Sequence, residues 1–124
     1  MKGILIVDHG SRLSDANDML REMADLIQNM AGSDVVVRYA HMELAEPDIP
    51  QGFAECVRAG ATDVTVFPYM LSPGRHSTSD IPRMVGEAAR SFPGVSFNVT
   101  PAFGLHEKLA QVVLERAAVG VHAD

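Results

Sequence analysis

Hydrophobic and polar residues form two kinds of block that alternate along the chain. Short runs of aliphatic and β-branched residues predict four strands, at residues 3–8, 34–41, 63–70 and 95–100. Between these runs, apolar residues recur at the spacing of an amphipathic helix, which predicts helices near residues 14–31, 50–59, 81–92 and 106–117. The first helix is expected to begin near Ser14, because serine is a good N-cap residue.

The order of these elements predicts the fold. Strict alternation of strands and helices is typical of an α/β protein, here an open four-stranded parallel sheet with helices on both faces, of flavodoxin-like type. Residues 1–124 are expected to form a single domain, with residues 119–124 as a frayed tail. If the strand order is 2-1-3-4, the chain reverses direction between the first and third strands, which is where such sheets bind ligands.

Composition narrows the classes of function. The residues AVILMFWYC make up 47 % of the chain and the formal net charge is −6, so nucleic acid and anionic membranes are not expected as general partners. No apolar run approaches the roughly 20 residues of a membrane span, and no signal-peptide pattern precedes the first strand. The single cysteine, Cys56, is expected to be a small buried hydrophobe in a reducing compartment. We therefore expect a cytoplasmic protein.

Two histidines fall at the ends of predicted strands. His9 follows the first strand directly, and His76 closes the loop after the third. Taken singly, His9 suits a structural turn and His76 suits a surface position at a helix start. In the order 2-1-3-4, however, their strands are neighbours about 4.8 Å apart, and one ion can contact both imidazoles at about 2.0–2.1 Å. The sequence therefore predicts a metal site in which His9 and His76 are both the ligands and catalytic residues.

Two carboxylates follow the second strand, at the same edge of the sheet. Glu43 and Glu46 each suit a solvated loop position, which is the commoner case. Glu43 is also a candidate catalytic residue, because a carboxylate near two imidazoles can complete a metal shell or accept a proton. Glu46 is a candidate substrate contact. His41, at the end of the second strand, is expected to pack or to face solvent, and His106 is expected to cap the last helix.

Basic residues and a turn-forming loop lie beside the two histidines. Arg12 and Arg75 also suit ordinary surface positions, but arginine binds carboxylates in bidentate fashion and so points to an anionic small molecule. Pro73 and Gly74 allow the loop backbone to approach a ligand closely. The predicted substrate-binding residues are Ser11, Arg12, Glu46, Leu71, Ser72, Pro73, Gly74 and Arg75. Neither a Gly-x-Gly-x-x-Gly segment nor a Walker loop occurs, so no nucleotide cofactor is expected.

Four segments of the chain together resemble a known family. They are Asp-His-Gly-Ser-Arg at 8–12, Met-Glu-Leu-Ala-Glu-Pro at 42–47, Gly-Ala-Thr at 60–62, and Gly-Arg-His at 74–76 followed by Asp-Ile-Pro at 80–82. In these segments the chain is similar to the small single-domain class II tetrapyrrole chelatases of the CbiX/sirohydrochlorin chelatase type. The resemblance runs over essentially the whole chain, from residue 1 to about residue 116.

The resemblance implies a metallochelatase that inserts a divalent metal into sirohydrochlorin, for the biosynthesis of cobalamin, siroheme or a related tetrapyrrole. Co²⁺ is favoured, and Fe²⁺ and Ni²⁺ are left open because all three accept imidazole ligands. The resemblance also implies a homodimer with the substrate in a cleft between its halves. His9 and His76 would bind the metal, His9 would take up pyrrole protons, and residues 71–76 would touch the macrocycle. The metal is itself a substrate, and no other cofactor is implied.

Two other functions stay open from the sequence. A non-catalytic carrier of metal or tetrapyrrole would use the same histidines without removing protons. An interaction domain of flavodoxin-like fold would use both histidines structurally. The chain also departs from the family's pattern at two places: relatives often carry an apolar or aromatic residue in place of His41, and some carry a histidine in place of Ser79.

Overall fold

The computed structural model describes residues 1–122, in which strands and helices alternate as the hydrophobic pattern predicts. The elements are β1 (Lys2–Asp8), α1 (Ser14–Ala31), β2 (Val35–His41), α2 (Ile49–Arg58), β3 (Asp63–Pro68), α3 (Ile81–Ala89), β4 (Ser96–Val99) and α4 (Glu107–Arg116). A π-helical turn at His76–Asp80 leads directly into α3. The predicted elements are therefore all present, with boundaries that differ by a few residues.

The four strands form one parallel sheet in the order β2-β1-β3-β4, which confirms the predicted fold class and strand order. In its register, Asp8 lies opposite His41 on β2, and Val7 lies opposite Pro68 on β3. The carboxyl ends of β1, β2 and β3 consequently meet at one edge of the sheet. This edge is where an open α/β sheet forms its ligand site.

Helices cover both faces of the sheet, but unequally. The larger core packs α2 and α3 against one face, around Leu5, Val66, Phe53 and Ile81, all of which are fully buried. The smaller core lies on the opposite face, and its buried residues are Ile6, Leu20, Ala24 and Val37, from β1, α1 and β2. Because Leu5 and Ile6 point to opposite faces, the continuous apolar run of β1 reflects a strand buried on both sides.

Some local predictions are wrong. Ser14 is the first residue of α1 rather than its cap, since Leu13 occupies the N-cap position and no side chain caps this helix. α2 begins at Ile49, within one residue of its predicted start, and Asp48 caps it in a capping box with Gln51. β3 ends at Pro68 instead of residue 70. These differences arise from hydrogen bonds between loop residues, which the hydrophobic pattern does not contain.

The C-terminal part of the chain packs least. α4 contributes no buried residue, and its apolar side chains Val112 and Val113 are 47 % and 66 % exposed. Residues 119–122 form neither helix nor strand, and residues 123–124 of the predicted tail lie outside the described residues, so fraying of residues 119–124 stays a prediction. Within residues 1–122, no helix is long and apolar enough to cross a membrane.

Candidate functional site

A cleft of about 370 Å³ opens at the carboxyl edge of the sheet, between the ends of β1 and β3. Its lining residues are His9, Tyr69, Met70, Leu71, Ser72, Pro73, Gly74, His76 and Ser77. Both predicted metal ligands and four of the predicted substrate-binding residues are therefore brought together. We call residues 8–12 the β1 wall of the cleft and residues 69–77 its β3 wall.

The two histidines meet across the cleft. The ring centroids of His9 and His76 lie 4.5 Å apart, and the ring planes are inclined at 85°. Both side chains belong to exposed residues, so solvent reaches them. Two imidazoles at this separation can each direct one nitrogen at a shared ion, for which zinc-type bond lengths are about 2.0–2.1 Å. The proximity predicted from the strand order is thus present, and the shared metal ion stays a prediction.

The β1 wall is held by the loop that follows β2. The backbone N–H groups of Met42 and Glu43 donate to the carbonyl oxygens of Asp8 and His9, at 2.9 and 3.2 Å. Gly10 has a φ of +88°, and a Cβ at this position would collide with the carbonyl oxygen of Glu43. Glycine is therefore required here by both conformation and space, and the backbone that carries His9 is fixed.

Ser11 contributes to the same wall through a local turn. Its N–H donates to Asn17 Oδ1 at 3.0 Å, and Asn17 Nδ2 donates back to the Ser11 carbonyl at 2.7 Å. The Ser11 hydroxyl oxygen accepts from the N–H of Leu13 at 3.0 Å. These bonds lead the chain from the cleft into α1. Ser11 therefore stabilises the turn before α1, and its contact with a substrate stays a prediction.

The β3 wall is tied to the rest of the fold at residues 69–71, which form backbone hydrogen bonds with Val7 and with residues 103–104. Beyond residue 71 its hydrogen bonds are local. The N–H of Gly74 donates to Ser77 Oγ at 3.0 Å, and both the N–H and the hydroxyl of Thr78 donate to the Gly74 carbonyl, at 2.9 and 2.7 Å. Ser77 is buried, whereas residues 71–76 are all exposed. His76 is the first residue of the π-helical turn rather than the last residue of a loop. Such turns occur frequently at functional sites.

A carboxylate that the sequence analysis did not assign to the site orients His76. Asp80 Oδ2 lies 3.2 Å from His76 Nδ1, one helical turn along the chain. If Nδ1–H donates to this carboxylate, Nε2 keeps its lone pair for a metal, which is a common arrangement around metal-binding histidines. The i, i+4 spacing of His76 and Asp80 was the available signal. It was missed because residue 76 was assigned to a loop.

Tyr69 is a second residue that the sequence analysis missed. It lines the cleft, and its ring packs edge-to-face on Phe103 with 5.0 Å between ring centroids. Partial burial, and then the negative charge of Asp8, raise the pKa of the Tyr69 phenol. The phenol therefore stays protonated and can donate a hydrogen bond into the cleft. Its position two residues before Leu71 in the predicted strand offered only a weak signal.

Several predicted site residues do not line the cleft. Arg12, Arg75, Glu43 and Glu46 are all exposed and lie outside its lining. Glu46 Oε1 instead accepts from Gln51 Nε2 at 3.5 Å. Within residues 1–122, no group of three or more His, Cys, Asp or Glu side chains is placed to hold a metal. The site therefore offers two imidazoles without a third protein ligand, and the roles predicted for these four residues stay predictions.

Three residues outside the cleft have clear structural roles. His41 is completely buried, so of the two expected roles it packs and does not face solvent. His106 caps α4 as predicted, since its Nδ1 accepts from the N–H of Lys108 at 3.1 Å. Cys56 is buried in the larger core, and burial raises its pKa to about 11. Its thiol is therefore protonated and inert at neutral pH.

Comparison with known families identifies the class of this chain. The CbiX family model matches residues 3–119, so the chain belongs to the CbiX family. The resemblance seen in the four short segments is thereby confirmed over nearly the whole sequence.

Individual relatives carry names that agree with this family. The chain is 46 % identical to a chloroplastic sirohydrochlorin ferrochelatase of Arabidopsis thaliana, over 92 % of this chain and 50 % of the relative. It is 35 % identical to a sirohydrochlorin cobaltochelatase of Priestia megaterium, over 94 % of this chain and 37 % of the relative. The crystal structure of the sirohydrochlorin chelatase SirB from Bacillus subtilis subspecies spizizenii, in complex with cobalt, superposes with a TM-score of 0.85 at 30 % identity, covering 94 % of this chain and 50 % of that chain. The chain thus spans half the length of these relatives, or less.

Proposed function

We propose that this chain is a sirohydrochlorin chelatase, which inserts a divalent metal ion into the tetrapyrrole. The observation that carries the proposal is the pair of His9 and His76, whose ring centroids lie 4.5 Å apart in a cleft at the carboxyl edge of the sheet. The names of the relatives from Arabidopsis thaliana and Priestia megaterium, and the cobalt bound by SirB, support the same activity.

Metal insertion makes two chemical demands that paired imidazoles meet. The ion must exchange its water ligands for the ring nitrogens, and two pyrrole N–H groups must lose their protons. Neutral imidazoles bind Co²⁺, Fe²⁺ and Ni²⁺, so His9 and His76 hold the ion until the macrocycle nitrogens replace them. Imidazole is also a general base suited to neutral pH. We assign one of the two pyrrole protons to His9, whose ring nitrogen is free to accept it once the ion has passed to the macrocycle, and the other to Glu43 of the neighbouring loop.

The substrate's shape and charge match the surroundings of the histidines. Leu71 is 73 % exposed on the β3 wall, and its side chain offers an apolar surface for the flat face of a macrocycle. The peripheral carboxylates of sirohydrochlorin would reach beyond the cleft, where Arg12 and Arg75 are exposed on either wall. Arginine at such positions selects an anionic macrocycle over a neutral one.

The proposed activity is a single reaction, but more than one metal ion is proposed as its substrate. The relative from Arabidopsis thaliana is named a ferrochelatase and that from Priestia megaterium a cobaltochelatase. Two imidazoles do not discriminate strongly among Co²⁺, Fe²⁺ and Ni²⁺, because all three are borderline ions and metal supply contributes to the choice. We therefore extend the earlier preference for Co²⁺ to Co²⁺ or Fe²⁺, with Ni²⁺ as a third candidate.

We further propose that two copies of the chain form a homodimer that encloses the substrate. His9 and residues 71–76, which form much of the cleft, are exposed, so one chain does not enclose a macrocycle, whereas a ligand site usually covers most of its ligand's surface. α4 leaves Val112 and Val113 exposed, an apolar face of the kind that subunit interfaces bury. Sedimentation at assay concentration should give twice the mass of one chain, and a fully active monomer would overturn this part of the proposal.

We also propose that the protein works in the cytoplasm. The single cysteine, buried and protonated, is consistent with a reducing compartment. The relative from Arabidopsis thaliana is named chloroplastic, so fractionation of the source cells, with detection by an antibody, is the direct test.

The experiment that tests the activity is a turnover assay. Purified protein is mixed with a tenfold excess of sirohydrochlorin and one of Co²⁺, Fe²⁺ or Ni²⁺, and the absorbance change of the macrocycle is followed against the spontaneous rate. A chelatase converts the whole excess, whereas a carrier stops after one equivalent per site. Conversion at the spontaneous rate with every metal would refute the proposed function.

A further inference from the structure

A fully buried histidine lies directly behind the β1 wall. His41 has no exposed surface, and its Nε2 has no hydrogen-bond partner in the described chain. Its ring packs edge-to-face on Tyr39, with 5.7 Å between centroids. An apolar ring would fill this space without burying an unsatisfied polar atom, which costs free energy. Packing alone therefore does not account for a histidine here.

The other ring nitrogen of His41 contacts the β1 wall. His41 Nδ1 lies 2.6 Å from Asp8 Oδ1, and the same oxygen accepts the N–H of Gly10 at 3.0 Å. A carboxylate oxygen only accepts, so Nδ1 carries the proton and donates it to Asp8. One oxygen of Asp8 thus joins the end of β2 to the turn on both sides of His9.

We propose that His41 is a positioning residue for His9: through Asp8 it fixes the turn at residues 8–10 and so holds the His9 imidazole at the distance from His76 that a shared metal ion requires. Asp8 lies immediately before His9 and Gly10 immediately after it. If Asp8 is released from His41, its side chain is free to turn away from the Gly10 N–H. His9 then samples more orientations, and the two-imidazole site is less well preorganised.

Substitutions at residue 41 separate positioning from packing. His41→Phe keeps a ring of similar size but removes the donor to Asp8. His41→Asn is smaller, but its side-chain amide places a donor near the position of Nδ1. His106→Asn is the matched control, because His106 caps α4 away from the cleft. For each variant, three quantities are measured: hydrogen exchange of the Gly10 amide by NMR, Co²⁺ affinity by titration without tetrapyrrole, and the melting temperature.

We expect His41→Phe to speed exchange of the Gly10 amide and to weaken Co²⁺ binding about 10-fold, the lower end of the usual effect of losing a hydrogen bond behind a metal-binding histidine. His41→Asn should restore most of both effects even if it melts lower than His41→Phe, and His106→Asn should change neither. If Co²⁺ affinity instead follows the melting temperature, or if His41→Phe binds Co²⁺ and protects Gly10 like the wild type, the positioning role is wrong.

Should His41→Phe not fold, substitutions of Asp8 carry the test. Asp8→Asn keeps an oxygen that accepts from both donors and should retain Gly10 protection, whereas Asp8→Ala should lose it. Equal Gly10 exchange in these two variants would also overturn the proposal.

The inference rests on the proposed function in one respect, since the ion that His9 and His76 would share is the metal substrate of the proposed chelatase. Its readouts need no sirohydrochlorin. Wild-type protein without turnover would refute the chelatase activity, while the Gly10 and Co²⁺ measurements would still decide the role of His41.

Discussion

The two walls of the cleft are built in different ways. The β1 wall is tied to β2 by backbone hydrogen bonds from Met42 and Glu43 and by the contact of Asp8 with His41. The β3 wall is bonded to the rest of the fold at residues 69–71, whereas residues 72–76 are exposed and Gly74 is held by Ser77 and the adjacent Thr78. The turn that carries His9 thus depends on contacts with a neighbouring strand and its loop, whereas the turn that carries His76 depends mainly on local hydrogen bonds.

This difference suggests that the two histidines differ in mobility and therefore in how they would bind the metal. His9 lies on a backbone that cannot shift without breaking hydrogen bonds to the loop after β2, so under the proposed function it would be the less mobile of the two metal ligands. His76 lies on a turn that can adjust locally, because loops with few contacts to the rest of the fold are the more mobile parts of a protein. A chelatase needs one rigid and one adjustable ligand, since the ion must first be bound by the protein and then transferred to the macrocycle.

Removal of either histidine should reduce activity more than any other substitution considered. His9→Ala should lower the rate of metal insertion by about 100-fold or more, because it removes a ligand and the assigned general base together. His76→Ala should lower it less, by about 10- to 100-fold, because it removes a ligand only. Initial rates at saturating Co²⁺ measure this, with His106→Asn as control and thermal melts to show that each variant folds. An undiminished rate for folded His9→Ala would mean that the chemistry lies elsewhere.

Alanine substitutions of Gly10 and Gly74, one on each wall, test whether the two walls differ in how closely their backbone is packed. Gly10→Ala should destabilise the protein by more than about 2 kcal/mol, since the added Cβ meets the Glu43 carbonyl at a positive φ. At Gly74, nothing lies within 4 Å of an added Cβ and φ is not positive, so Gly74→Ala should change stability by less than about 0.5 kcal/mol. Urea denaturation of both variants gives these values. Equal losses of stability would remove the distinction between the walls.

Arginine substitutions give a smaller effect, on binding. Arg12→Ala and Arg75→Ala should raise KM for sirohydrochlorin several-fold with little change in kcat, because contacts to peripheral carboxylates are the same in ground and transition states. The rise in KM should be larger for Arg12→Ala, because the β1 wall loses less conformational entropy than the β3 wall when the substrate binds. Both effects are limited because the side chains are exposed and solvent weakens their ion pairs. If KM is unchanged in both variants, these arginines are ordinary surface charges.

The shift in the pKa of Tyr69 is the smallest of these effects. It tests whether the Asp8 carboxylate of the β1 wall acts on the Tyr69 phenol of the β3 wall. Burial and the charge of Asp8 raise its pKa above the ordinary 10.0. Ionisation is therefore harder in the folded than in the unfolded protein, so this contribution to stability is present below about pH 10 and is lost above it. In a Tyr39→Phe background, phenolate absorbance should show a midpoint above 10 that falls in Asp8→Asn. A midpoint unaffected by Asp8→Asn would mean that Asp8 does not face the cleft.

The hydrophobic pattern of the chain was sufficient to predict the sheet and the edge at which the two histidines lie. Periods of two and of about 3.6 residues are local properties, so they predicted all four strands and all four α-helices. Strict alternation restricts the topology, and the order 2-1-3-4 then places the residues that follow β1 and β3 at one edge. His9 and His76 could be paired from the sequence for this reason, before any distance between them was known.

The contacts that hold each histidine in place could be seen only in the folded chain. The Asp8–His41 contact joins residues 33 positions apart and needs the register that sets them opposite each other on β1 and β2. The requirement for glycine at residue 10 depends on where the Glu43 carbonyl lies. The His76–Asp80 pair depends on a π-helical turn held by Gly74, where the sequence pattern indicated a loop. Hydrophobic periodicity records which face of an element is buried, but it carries no information about which polar atoms meet once the elements have packed.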